Sequence, residues 1–197
     1  MRIITGKYKG RHFDIPRSFK ARPTTDFAKE NIFNVLTGYM GFEGATALDL
    51  FSGTGSITLE LLSRGCAHVI SIEADRDHHR FIMQCLQKLK DTSVDSGKWT
   101  VDRYDHNCHC LPIRGDVFRF VKSCKQQFDL IFADPPYALK ELPTIPSLIF
   151  EKNLLKPEGV FVFEHGKDHD FRDHPNFVEH RSYGSVNFSI FRPLHQR

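Results

Sequence analysis

Thr46-Ala-Leu-Asp-Leu-Phe-Ser-Gly-Thr-Gly55 is a short apolar run, Thr46 to Phe51, that breaks abruptly into glycines. It reads as a strand entering a tight Gly-rich turn. Residues 56–64 follow with Ile57, Leu59, Leu61 and Leu62 as a helix that Gly65 ends. His68-Val-Ile-Ser-Ile-Glu73 is then a second strand, and 76–90 a second helix. The rhythm recurs at Phe128-Asp-Leu-Ile-Phe-Ala133 and Gly159-Val-Phe-Val-Phe-Glu164. Apolar strands alternating with helices predict an α/β fold whose mostly parallel sheet is covered on both faces.

The flanks depart from this pattern. Residues 1–20 mix apolar and basic side chains with breaks at Gly6, Gly10 and Pro16, and predict short strands or a hairpin. A helix from Asp26 to the region of Gly38 follows, carrying Phe27, Ile32, Phe33, Val35 and Leu36. Phe177 to Phe191 alternates about Tyr183-Gly-Ser185 and predicts an antiparallel hairpin at the sheet edge. Residues 91–110 are polar and aperiodic, a long loop with room for a short strand at Trp99–Val101. The chain divides on this reading into a basic extension, 1–40, and a catalytic domain, 41–197.

Composition bounds the class. The 197 residues, 40% hydrophobic and 26% charged, suit one globular domain of ordinary type. No apolar run reaches the roughly 18 residues of a membrane span, and the first residues lack the apolar core of a signal peptide. Five scattered cysteines (Cys66, Cys85, Cys108, Cys110, Cys124) suggest reduced thiols in the cytoplasm. The net charge of +3 is unevenly spread: residues 1–30 hold eight Lys and Arg against three acids, so +5 sits on the arm and about −2 on the rest. A basic arm suits a polyanionic partner.

Three groups of residues carry chemistry. In Asp49-Leu-Phe-Ser-Gly-Thr-Gly55 the glycines let the backbone approach a ligand at a helix start. A dinucleotide fingerprint would place a third glycine where Thr58 stands, and Asp49 would repel a pyrophosphate. Asp49 suits a cationic ligand end, and Glu73, closing the next strand, suits two ribose hydroxyls. A ribose joined to a positive charge describes S-adenosylmethionine. Asp116, after Arg114-Gly115, can accept from an adenine amino group or can simply cap a helix from Val117 to Cys124. Asp134-Pro-Pro-Tyr137 ends the strand 128–133. Its prolines remove donors and leave rigid carbonyl acceptors, and Tyr137 offers a face to a base. Such acceptors grip both hydrogens of a planar amino group and turn its lone pair toward an incoming methyl.

Taken in order, Met1-Arg-Ile-Ile-Thr-Gly-Lys-Tyr-Lys-Gly-Arg11, Arg22-Pro-Thr-Thr-Asp26, Leu48–Gly55, Leu62-Ser-Arg-Gly65 and Phe128–Tyr137 resemble the bacterial 16S rRNA guanine-N2 methyltransferase family. These are class I enzymes with a Rossmann-like sheet. The resemblance implies S-adenosylmethionine as cofactor, held by Asp49, Phe51, Gly53, Gly55, Glu73, Asp116 and Val117. It implies Asp134, Pro135, Pro136 and Tyr137 as the catalytic loop. It also implies RNA contact through Lys7, Lys9, Arg11, Arg22, Thr24 and Tyr137, with Arg22, Pro23 and Thr24 covering the site. The expected substrate is a guanine of 16S rRNA in an assembled or assembling small ribosomal subunit, methylated by a monomer without metal.

Where the family continues Arg-Val-Arg-Glu after Asp26, this chain has Phe27-Ala-Lys-Glu30, which predicts altered RNA contact because Lys and Arg differ at phosphates. His106-Asn-Cys-His-Cys110 is too compressed to wrap one tetrahedral zinc and reads as polar loop. His78 and His79 read as the start of a surface helix, and His165 is without an assigned role. The rival activities are methylation of adenine N6 or of a protein glutamine. A non-catalytic ribosome-assembly factor is the rival outside enzymology.

Overall fold

The computed structural model describes residues 1–19, 24–90 and 109–194. Seven strands form one sheet in the order β3-β2-β1-β4-β5-β7-β6. These are β1 (Thr46–Leu50), β2 (His68–Glu73), β3 (His109–Arg114), β4 (Phe128–Ala133), β5 (Leu155–His165), β6 (Phe177–Tyr183) and β7 (Val186–Phe191). The first five run parallel, β7 lies antiparallel on β5, and β6 pairs antiparallel with β7 at the edge. After β3 the chain returns to the other side of β1, so the strand order reverses between β1 and β4.

The helices α1 (Asp26–Leu36), α2 (Ser56–Ser63), α3 (Arg76–Lys90), α4 (Val117–Ser123) and α5 (Ile145–Glu151) cover the two faces. One core joins Ile32, Phe33, Leu59 and Ile82 to Ala47, Phe132, Val160 and Val162. The other joins Val121 and Ile149 to Leu48, Ile131, Phe161 and Phe163. Val160 and Val162 thus face one layer while Phe161 and Phe163 face the other. Burial on both faces is why these strands read as unbroken apolar runs.

One strand expectation needs correction. His109 and Cys110 are not loop: they open β3, where His109 pairs with His68 and the two rings stack 5.4 Å apart. The strand escaped notice because it contains Pro112, which is tolerated on an edge strand with a free N side. The suggested strand at Trp99–Val101 lies outside the described residues, as do His106 and Cys108. The N-terminal arm closes as the expected short hairpin: Arg2 bridges His12 in antiparallel sense, Phe13 N–H donates to Met1 O at 2.9 Å, and Ile3 N–H donates to Arg11 O at 3.0 Å.

The tip of the arm is tied to α2. Ile4 and Thr5 N–H groups donate to the Glu60 carboxylate at 2.8 and 3.0 Å. Lys7 N–H donates to Ser63 O at 2.7 Å, and Tyr8 N–H to Ser63 Oγ at 2.9 Å. Gly6 turns at φ +88°, where a Cβ would meet Ser63 O at 1.9 Å. Ile3, Tyr8 and Phe13 join the core beside α2, so the arm and the sheet share apolar packing. Lys29, read from sequence as a phosphate contact, is buried at 1% exposure. Its ammonium donates to Arg2 O at 2.6 Å and Ser56 Oγ at 3.0 Å and lies 3.7 Å from Glu60. It fastens α1 to the arm and is not available to RNA.

Glu60→Ala would leave Lys29, Arg64 and two arm amides without their acceptor. Removing one side of a buried pair costs about 3–5 kcal/mol. Urea unfolding should show that loss, with faster tryptic cutting after Lys7 and Lys9. A loss under about 1 kcal/mol would mean that the arm is held by apolar packing alone.

Candidate active site

The parallel registers align the strand ends. Leu50 lies level with Ile72 on one side and Ala133 on the other, and Ala133 lies level with Phe163. One residue further on, Glu73, Phe51, Asp134 and Glu164 leave the sheet side by side. Here, outside the carboxyl ends where strand order reverses, open α/β sheets bind ligands. A cleft of about 840 Å³ opens at this edge. Six carboxylates line it (Asp49, Glu73, Asp75, Asp116, Asp134, Glu164), and no Lys or Arg does among the described residues.

The turn after β1 positions one half. Phe51 and Gly53 adopt φ of +61° and +52°. A Cβ at Gly53 would touch only Phe51 O, at 3.9 Å, so this backbone stands open to a ligand. Gly53 N–H donates to Glu73 Oε2 at 2.7 Å, and Asp75 N–H to Glu73 Oε1 at 2.7 Å, which fixes the carboxylate at the end of β2. Asp49 is buried at 1% exposure and accepts from the Thr58 hydroxyl at 2.5 Å. Burial, more than the neighbouring Glu73 charge, pushes its carboxyl up to about 7. Asp116 caps α4 by accepting from Arg119 N–H at 2.8 Å, and it lines the cleft as well. The two roles left open by the sequence are therefore compatible.

The loop after β4 forms the other half. Asp134 N–H donates to Leu50 O, and Pro136 O accepts from Leu139 N–H within the turn. Pro135 O takes no backbone hydrogen bond among the described residues. Tyr137 is 43% exposed, and its hydroxyl donates to Glu164 Oε1 at 2.9 Å. Thr24 Oγ1 donates to Glu164 Oε2 at 3.2 Å. The Asp134 and Glu164 carboxyls hydrogen-bond each other. Burial, the adjacent Glu164 and then Asp49 raise Asp134 well above the carboxylate range, so the pair holds a shared proton. Burial raises Glu164 too, against donors from Tyr137, Thr24 and Asp134 that favour its ionised form.

The family model described as conserved hypothetical protein 95 matches residues 1–192. The chain belongs to that family. Ribosomal RNA small subunit methyltransferase D of Haemophilus influenzae is 30% identical over 98% of this chain and 93% of its own length. The enzyme of that name from Escherichia coli strain K12 is 28% identical over 98% and 89%. The solved structure of Escherichia coli yhhF matches with TM-score 0.77 at 26% identity, covering 100% of this chain and 99% of that one.

Against the sequence expectations for this member of the conserved hypothetical protein 95 family, the cleft brings together Thr24, Asp49, Phe51, Gly53, Glu73, Asp116, Val117 and Asp134–Tyr137. Gly55 lies behind the turn, where a Cβ would meet Ile82 at 2.8 Å, and has a packing duty. Lys7 and Lys9 are exposed on the arm outside the cleft, and Arg11 reaches Lys88 O at 3.3 Å. Arg22 and Pro23 lie outside the described residues. His165 turns into the fold, with Nε2 2.9 Å from Ser189 Oγ. His78, read as plain helix start, lines the cleft with Nδ1 4.0 Å from Glu73. Ser185 and Val186 of the C-terminal hairpin also reach it, a contact with no sequence signal.

The Asp49 shift makes stability depend on pH. Its carboxyl titrates near 3.8 when unfolded and near 7 when folded. Stability present below the unfolded value is lost as pH climbs to about 7, and no more is lost above. Between pH 5 and 8 the loss is up to roughly 3 kcal/mol. Asp49→Asn, which keeps the acceptor for Thr58, should flatten that slope in urea titrations. An unchanged slope would show that Asp49 does not titrate in this range.

Proposed function

We propose that the chain transfers a methyl group from S-adenosylmethionine to the exocyclic N2 of a guanine in 16S rRNA of the small ribosomal subunit. Methylation of small-subunit rRNA follows from the family; the guanine, its N2 atom and the residue roles are the proposal. The observation that carries it is one cleft in which the Asp134–Tyr137 loop faces the Asp49, Gly53 and Glu73 turn. The cytoplasm and a monomer acting on the assembling or assembled subunit complete the reading.

The residues fit the cofactor. The open backbone at Gly53 admits close approach, Glu73 is fixed where it can accept ribose hydroxyls, and Asp116 stands where an adenine amino group can donate. The acid-lined cleft, without a lining cation among the described residues, favours a positively charged ligand. When bound, S-adenosylmethionine supplies an electrophilic methyl whose sulfonium leaves as a neutral thioether.

The loop then acts on the base. The Asp134 carbonyl oxygen and Pro135 O accept the two amino hydrogens, which pulls the nitrogen lone pair out of the ring system. The Tyr137 face stacks the base, worth about 1–3 kcal/mol, and its hydroxyl is held by Glu164. The amino proton is acidified as the new N–C bond forms and is released to water after the transfer, so no strong base is needed. The rate comes from positioning and from exclusion of water. The base must leave its stack to reach this depth.

Tritiated S-adenosylmethionine, purified protein and small subunits from cells lacking the gene provide the test, with nucleosides identified by mass. Label should appear in N2-methylguanosine and fall at least about 100-fold for Asp134→Ala. Label in N6-methyladenosine would overturn the substrate, and absence of label in RNA would overturn the reading.

A further inference from the structure

Glu164 is the acid beside Asp134 in the cleft, and sequence motifs assigned it no role. It is the last residue but one of β5, directly after Phe163, which lies level with Ala133, and it is 4% exposed. A carboxylate offers about four acceptor sites. Tyr137, Thr24 and Asp134 occupy three, two from the loop after β4 and one from the segment before α1. The remaining site belongs to a side chain that lines the cleft next to the acceptors for the amino group.

We infer that Glu164 selects guanine by accepting its N1–H while Asp134 and Pro135 hold the N2 amino group. This rests on the guanine reading above and adds what reads the base. The Watson–Crick edge of guanine presents N1–H and N2–H2 side by side, two donor groups in a row. Adenine presents a lone pair at N1 next to its amino group, and so does 2-aminopurine. A carboxylate oxygen facing either lone pair gains no hydrogen bond from the base and meets it with electrostatic repulsion. The cleft has little to offer them instead: no Lys, Arg, Asn or Gln side chain lines it among the described residues, and the Thr24 hydroxyl is already donated to Glu164. The charged groups facing Glu164 are Asp134 from β4 and, behind it, Asp49 from β1. The hydrogen-bonded pair of Asp134 and Glu164 lines the cleft with acceptor oxygens. All acceptors then meet the donor-rich edge of one base.

Glu164→Gln separates reading from bracing. The amide carbonyl still accepts from Tyr137, while the amide NH2 can donate to an N1 lone pair. The assay is single-turnover methylation of small subunits reconstituted with guanine or 2-aminopurine at the methylated position, at saturating S-adenosylmethionine. The wild-type protein should favour guanine by at least about 100-fold, and Glu164→Gln should shrink that preference at least about tenfold by losing guanine activity. Cofactor affinity within about twofold of wild type confirms an intact fold. Equal slowing on both bases would reduce Glu164 to a brace for Tyr137 and overturn the inference, as would equal use of both bases by the wild type. Failure of the wild type to methylate guanine in native subunits would instead remove the guanine reading itself, and this inference with it.

Discussion

Backbone pairing holds β1 between β2 and β4, with Leu50 level with both Ile72 and Ala133, and the same row continues to Phe163 on β5. Four strands are therefore level at this row, and the next residue of three of them is an acid. Glu73, Asp134 and Glu164 converge because parallel strands in register end on one side of the sheet. A slip of one residue would turn each of these side chains to the opposite face. The chemistry of the cleft is thus a consequence of ladder hydrogen bonds made well below it.

That convergence has an electrostatic cost. Carboxyls packed at the end of an apolar sheet are desolvated and repel one another, and the fold relieves this in three ways. Glu73 is tied by two backbone N–H groups. Asp49 takes the Thr58 hydroxyl. Asp134 and Glu164 share a proton while Thr24 and Tyr137 donate to Glu164. What remains is a preorganised field that suits a cationic methyl donor and a donor-rich base edge. Strain of this kind at a site is offset by the two apolar cores on either side of the sheet.

The arm follows a different rule. Its cohesion comes from α2, whose buried Glu60 gathers two arm amides, Arg64 and Lys29. The arm thereby brings its exposed Lys7 and Lys9 to the body as a fixed basic feature. Lys29, which belongs to the basic arm by charge count, is structural. Its neighbour Phe27 is the residue of that turn left exposed, edge-on to Tyr183 of the hairpin.

Sequence by itself determined the strand–turn–helix units, the parallel core, the C-terminal hairpin and most of the site. Each is written in local signals: two-sided apolar runs, glycines that permit positive φ, and prolines that strip donors at Asp134–Tyr137. It misjudged β3 because Pro112 disguises an edge strand, and Lys29 because a charge count carries no information about burial. Only the tertiary structure decided that Glu164 stands against the Asp134–Tyr137 loop, that Thr24 and Tyr137 share it, and that Ser185 and Val186 reach the cleft. Those contacts join residues far apart in the chain, for example Thr24 and Glu164 across 140 positions. No local pattern records them, since they exist once the sheet has aligned its strand ends.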